Sequence, residues 1–71
     1  MSMNPQQLRE AGVTLYGHWG WQTRLAEALM VDGSTVRRWV SGAVPIPGPA
    51  QAAIKCFLRE AQRNRDDDSA A

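Results

Sequence analysis

Glycine and proline cut this chain into short apolar-periodic segments, and that punctuation limits its fold more than any other feature. The breaks gather at Gly17 and Gly20, at Asp32 and Gly33, and across Gly42, Pro45, Pro47, Gly48 and Pro49. Glycine pairs and Asp-Gly favour turns, while proline lacks the N–H and the rotational freedom that a helix interior requires. Between the breaks, apolar residues recur three and four apart, the spacing of one face of an α-helix. No segment alternates apolar and polar residues over a length useful for a strand, and no internal repeat is present. An all-α bundle of four helices, with a fifth short turn as an option, is the expected architecture.

Each segment carries its own start and stop. Asn4 suits an N-cap, Pro5 the first helical position and Gln7 the capping-box partner, so a first helix is expected from there to Gly17. Leu8, Ala11, Leu15 and Tyr16 make its apolar face, and Gly12 weakens it. A second helix begins near Trp21, with Leu25, Ala26 and Leu29 facing inward. The third starts near Ser34 and ends at Gly42. Its Val36, Trp39 and Val40 share one face, which leaves Thr35, Arg37, Arg38 and Ser41 on or beside the other. After the stiff proline connection, Ala50, Ala53, Ile54, Phe57, Leu58 and Ala61 mark a last helix from about Pro49 to Asn64. Trp39 reads as core, and burial is also the expectation for Trp19 and Trp21, with placement against a phosphate through the indole N–H as the alternative.

At 71 residues the chain is one domain with little stability to spare, and self-association would help it. Its composition, 44% hydrophobic and 21% charged, is that of a folded globular domain rather than a disordered one. The longest apolar runs fall far short of a membrane span, and the N-terminus lacks a signal-peptide layout, so a cytoplasmic protein without membrane contact is expected. Cys56 is the single cysteine, which permits no internal disulfide. With one histidine, His18, and no CxxC or HxxxH spacing, neither a metal site nor a cofactor is expected.

A formal charge of +1 hides an uneven distribution. Asp66, Asp67 and Asp68 cluster in a C-terminal stretch, and residues 1–65 carry eight basic against four acidic residues. The division expected is a basic folded domain at 1–65 and an acidic, unpacked tail at 66–71.

The run from Gln22 to Ser41 resembles the helix-turn-helix of the lambda-repressor-like, or Cro-type, family. Gln22, Leu25, Ala26, Leu29, Val31, Thr35, Val36, Arg38 and Trp39 match its pattern, as do the flanking Leu15-Tyr16-Gly17 before Gly20-Trp21-Gln22 and Pro45-Ile46-Pro47 after it. The resemblance spans about residues 8–61 and implies a four- to five-helix lambda-repressor-like domain. Implied with it is a small phage-type transcriptional regulator, a repressor, with control of its own phage or anti-CRISPR-type operon as one option, bound as a homodimer to a palindromic operator in double-stranded DNA. In that family the residue at Met30 is usually glycine and that at Asp32 often serine. Gly33 is expected to take over the unusual backbone conformation, and Asp32 to cap the third helix.

The physical reading is compatible. The major groove, about 12 Å wide, admits one α-helix, and the helix from Ser34 to Ser41 has an apolar face to hold it and a polar face to present. Arg37 and Arg38 offer planar forks suited to guanine or phosphate; Ser34, Thr35 and Ser41 are short, and Gly33 permits close backbone approach. Gln22 and Thr23 stand at the family's phosphate-clamping position at the start of the preceding helix, with Arg24 beside them. Lys55, Arg59, Arg63 and Arg65 read as a solvated face. A protein-interaction adaptor or antitoxin-like module, using Ala52 and Cys56 on the last helix, is the alternative. No nucleophile, paired-carboxylate, phosphate-loop or metal pattern suggests an enzyme, and a small-molecule ligand is not expected.

Overall fold

The structure, a computed structural model, describes residues 3–70, with side chains described for residues 3–64. Four helices follow one another: α1 (Pro5–Tyr16), α2 (Trp21–Leu29), α3 (Gly33–Ser41) and α4 (Gly48–Ala70). Among the described residues there is no strand and no fifth helix, so the all-α expectation holds in its four-helix form.

The N-terminus of α1 forms as its sequence dictates. Asn4 Oδ1 accepts the Gln7 N–H at 2.8 Å, and the Asn4 N–H donates to Gln7 Oε1 at 3.0 Å, a complete capping box with Pro5 just inside it. Leu8 and Ala11 are buried, and so is Gly12. That glycine does more than lower helix propensity: the indole of Trp21 lies against its α-carbon, and a β-carbon there would overlap the ring. Leu15 is only half-buried and lies outside the core cluster.

Trp21, Leu25 and Ala26 from α2, Val36 and Trp39 from α3, Ile46 from the α3–α4 connector and Ile54 from α4 complete the core. Helix α1 packs against each of the other three, and α2 packs against α3. The core is entirely apolar among the described residues, with Leu8, Leu25, Val36 and Ile54 fully covered. Each buried aliphatic side chain of this kind contributes about 1.5–3 kcal/mol relative to exposure.

Gln51 joins three parts of the fold. Its Oε1 accepts the Met3 N–H at 3.0 Å, and its Nε2 donates to the Ile46 carbonyl at 2.8 Å. The N-terminus, the proline connector and the first turn of α4 are thereby held together, although the residue is invisible to an apolar-stripe reading of α4.

Three expectations need correction. Trp19 is exposed at 91%, not buried: it rides on the α1–α2 connector, while Trp21, two residues on, turns into the core at 6% exposure. Gly33 does not take the left-handed conformation. Met30 does so itself, at φ 60° and ψ 42°, because the α2 C-terminus closes there through Met30 N–H to Glu27 O (3.1 Å) and Val31 N–H to Ala26 O (2.9 Å). Gly33 is instead the first residue of α3, one earlier than expected. Helix α4 is assigned through Ala70, beyond Asn64, in keeping with a stretch that has neither glycine nor proline after Pro49. The expected unpacked tail at 66–71 falls outside the residues with described side chains, and residue 71 outside the described chain altogether.

Candidate nucleic-acid interface

Helix α3 owes its orientation to Val36 and Trp39, both buried, with Val40 packed beside them. Helical periodicity then sends Ser34, Arg38 and Ser41 to the opposite side, with Arg37 on one flank and Thr35 on the other. Burial agrees with this division. Arg37, Arg38 and Ser41 are exposed, whereas Ser34 and Thr35 are half-buried. Two guanidinium groups thus project from a helix that cannot rotate without withdrawing a tryptophan from the core.

The α3 N-terminus is open. Asp32 occupies the N-cap position, as expected, with extended φ −69° and ψ 149°, yet its carboxylate makes no capping hydrogen bond. Its carbonyl accepts the Thr35 N–H at 3.0 Å. The Gly33 and Ser34 N–H groups belong to the set that a helix leaves without intrahelical partners. A β-carbon at Gly33 would meet nothing within 4 Å, so open space lies in front of that backbone.

At its far end α3 is closed. The Arg38 carbonyl receives the Ala43 N–H at 3.0 Å and the Ser41 hydroxyl at 3.0 Å. Ser41 Oγ also accepts the Ala43 N–H at 3.4 Å. Its hydroxyl proton is therefore committed to the helix end, so Ser41 is equipped for local capping more than for reading a base.

Helix α2 has a second open N-terminus. Gly20, at φ 75° and ψ 11°, stands at its N-cap without a side-chain hydrogen bond, and its carbonyl accepts the Arg24 N–H at 3.1 Å. The N–H groups of Trp21, Gln22 and Thr23 remain at the positive end of the helix dipole. Thr23 and Arg24 are exposed together and share a shallow groove with Glu27, Ala28, Gly20 and Tyr16. Gln22 is half-buried on a different side of the helix, separated from Thr23 by the 100° step between successive residues. The candidate residues thus form two groups, one at the start of α2 and one along α3, joined by the three-residue turn Met30, Val31 and Asp32.

The candidate surface carries three arginines, Arg24, Arg37 and Arg38, against two carboxylates, Glu27 and Asp32, all exposed. No carboxylate occurs between Ala11 and Ala26, nor between Gly33 and Arg59. The exceptions nearby are Glu27 on the α2 stripe and Asp32 at the start of α3, both exposed. The basic residues Lys55, Arg59 and Arg63 lie exposed on α4, away from this pair of helix ends in sequence and on a helix of their own.

Compared with models of known protein families, with curated proteins and with solved structures, the chain has no match. Among the described residues, no helix is long and apolar enough to cross a membrane.

The apolar anchor residues and the two-faced third helix were visible as periodicity. What that reading lacked was Trp19, whose flanking glycines were the available signal for an outward-facing connector, and the local commitment of Ser41.

Proposed function

We propose that the chain is a cytoplasmic, sequence-specific binder of double-stranded DNA that regulates transcription, with α3 as the helix entering the major groove. The observation that carries this reading is a helix locked by Val36 and Trp39 on one side while Arg38 on the opposite side and Arg37 on the flank stand exposed. Open N-termini on both α2 and α3 add support, since backbone N–H groups and the helix dipole favour phosphate at each. Capping at α1, by contrast, is complete. The short α2–α3 turn suits a helix-turn-helix, in which the first helix sits across the backbone and the second in the groove.

In this reading Arg37 and Arg38 contact guanine edges or phosphates. Gly33, Ser34 and Thr35 approach the DNA with the start of α3, and Thr23 and Arg24 hold the backbone from the start of α2, where Gln22 contributes its backbone N–H. Steric competition for a promoter gives repression as the simplest outcome for so small a chain. The proposal includes an inverted-repeat operator bound by a homodimer, with half-sites about one helical turn apart, the arrangement that two-fold helix-turn-helix proteins use. The decisive experiment selects bound duplexes from random DNA and measures the stoichiometry of the complex by sedimentation. An enriched motif that is lost in the Arg37→Ala, Arg38→Ala double variant is expected; no enrichment at low salt sinks the proposal.

A further inference from the structure

The three tryptophans of this chain are not equivalent. Trp21 and Trp39 are buried at 6% and 3% exposure, while Trp19 is open at 91%. A single exposed apolar side chain is common on a folded domain; what sets Trp19 apart is its place beside the open N-terminus of α2.

The connector that carries Trp19 has a defined shape. Gly17, at φ 89°, closes α1 by donating its N–H to the Val13 carbonyl at 2.8 Å, and Gly20, at φ 75°, opens α2. A β-carbon at either glycine would meet nothing within 4 Å. Glycine is therefore required there by backbone conformation, not by crowding. Next in line, Trp21 anchors the connector from inside against Gly12. Between an outward-held Trp19 and the open α2 N-terminus lies only Gly20, and the groove beside it is lined by Thr23 and Arg24 together with one carboxylate, Glu27.

We propose that Trp19 is a contact to the sugar-phosphate backbone of bound DNA. Its indole N–H donates to a phosphate oxygen and its ring covers the neighbouring deoxyribose, next to the phosphate held by the start of α2. This rests on the DNA-binding reading above. The chemistry suits the residue: indole is a neutral donor with a large apolar face, so it adds a hydrogen bond and desolvated area without adding charge.

Neutrality supplies the test. The selected duplex is titrated into the intact chain and into Trp19→Ala, Trp19→Phe and the Arg37→Ala, Arg38→Ala double variant, at several salt concentrations. Circular dichroism checks that each variant is folded. Trp19→Ala is expected to weaken binding about tenfold, in the range of a lost hydrogen bond to a charged group, and Trp19→Phe by a smaller factor because the ring remains. The salt slope should stay at the wild-type value in both, since no cation is removed, whereas the arginine variant should flatten it. Acrylamide quenching of tryptophan emission, which reaches Trp19 and not the two buried indoles, should diminish when DNA is added. Wild-type affinity in Trp19→Ala, with undiminished quenching in the complex, overturns the contact while leaving the DNA-binding reading intact. Protection of Trp19 that depends on protein concentration without DNA overturns it in favour of self-association. Failure of the wild-type chain to bind any duplex removes both the reading and the contact.

Discussion

Gly12 and Trp21 meet face to face across the α1–α2 contact: a β-carbon on Gly12 would come within 2.7 Å of both Cδ2 and Cζ3 of the indole. Neither atom belongs to a flexible chain end, and Trp21 is itself among the core residues. Gly12→Ala should therefore destabilise the protein by about 1–3 kcal/mol, the usual cost of overpacking, despite the gain in helix propensity. Stability in a domain this size is roughly 0.05–0.15 kcal/mol per residue, so the loss is a large share of the total. Urea unfolding followed by circular dichroism measures it. In a double variant with Trp21→Leu, the two effects should sum to less than their separate values, because the smaller side chain makes room. Additive losses would show that the clash is not the cause.

Met30 is the converse case. Its side chain is 91% exposed and its backbone is left-handed, which costs a non-glycine residue roughly 1–2 kcal/mol. Little packing is lost if the side chain is removed. Met30→Gly should therefore stabilise the fold by about 1 kcal/mol and raise the melting temperature by about 4–8 °C. Calorimetry of the two proteins tests this, and an unchanged or lower melting temperature would contradict the αL assignment.

These two residues also show what was legible from sequence. Helix number and the inward faces of α2 and α3 followed from spacing, because a 3.6-residue period and the glycine and proline breaks are local signals. Gly12 was read as a weak point since helix propensity is local too, whereas its reason lies nine residues away in Trp21. Met30 was passed over in favour of Gly33 for the same reason: glycine is the better candidate for positive φ in isolation, but the hydrogen bonds that close α2 select the position. Trp19 was expected inside because of its type, and the conformation of its two flanking glycines decided otherwise. For the candidate site, the exposed arginines were legible as the polar face of an amphipathic helix. The open start of α3 was not, since it depends on whether the Asp32 side chain reaches back to cap.

Gln51 makes a separate stability prediction. Its two hydrogen bonds, to the Met3 N–H and the Ile46 carbonyl, are partly buried and connect segments 48 and 5 residues away in sequence. Gln51→Ala should cost about 1–2 kcal/mol by removing both and leaving their partners less well satisfied. Asn4→Ala, which breaks only the capping box at the exposed start of α1, should cost about 1 kcal/mol. Hydrogen exchange distinguishes the two: faster exchange should be confined to the first turn of α1 in Asn4→Ala, whereas in Gln51→Ala it should extend to the first turn of α4. Identical exchange patterns would mean that Gln51 is not the link between these segments.

Gly33 allows function to be separated from folding. It stands at the first position of α3 outside the positive-φ region, with open space where a β-carbon would go. The fold thus accepts alanine there, and the reduced freedom of the unfolded chain should make Gly33→Ala neutral to about 1 kcal/mol more stable. If the start of α3 approaches DNA as proposed, the added methyl group should nonetheless weaken binding by about tenfold, a loss of close contact worth about 1.4 kcal/mol. Arg37→Ala and Arg38→Ala complete the comparison. Removal of a phosphate contact should lower the salt slope by about 0.9 and weaken all duplexes alike, while removal of a base contact should relax sequence preference at one position. A more stable Gly33→Ala protein that binds the selected duplex as tightly as the wild type would place the helix start away from DNA, and with it the groove-facing orientation of α3 would fall.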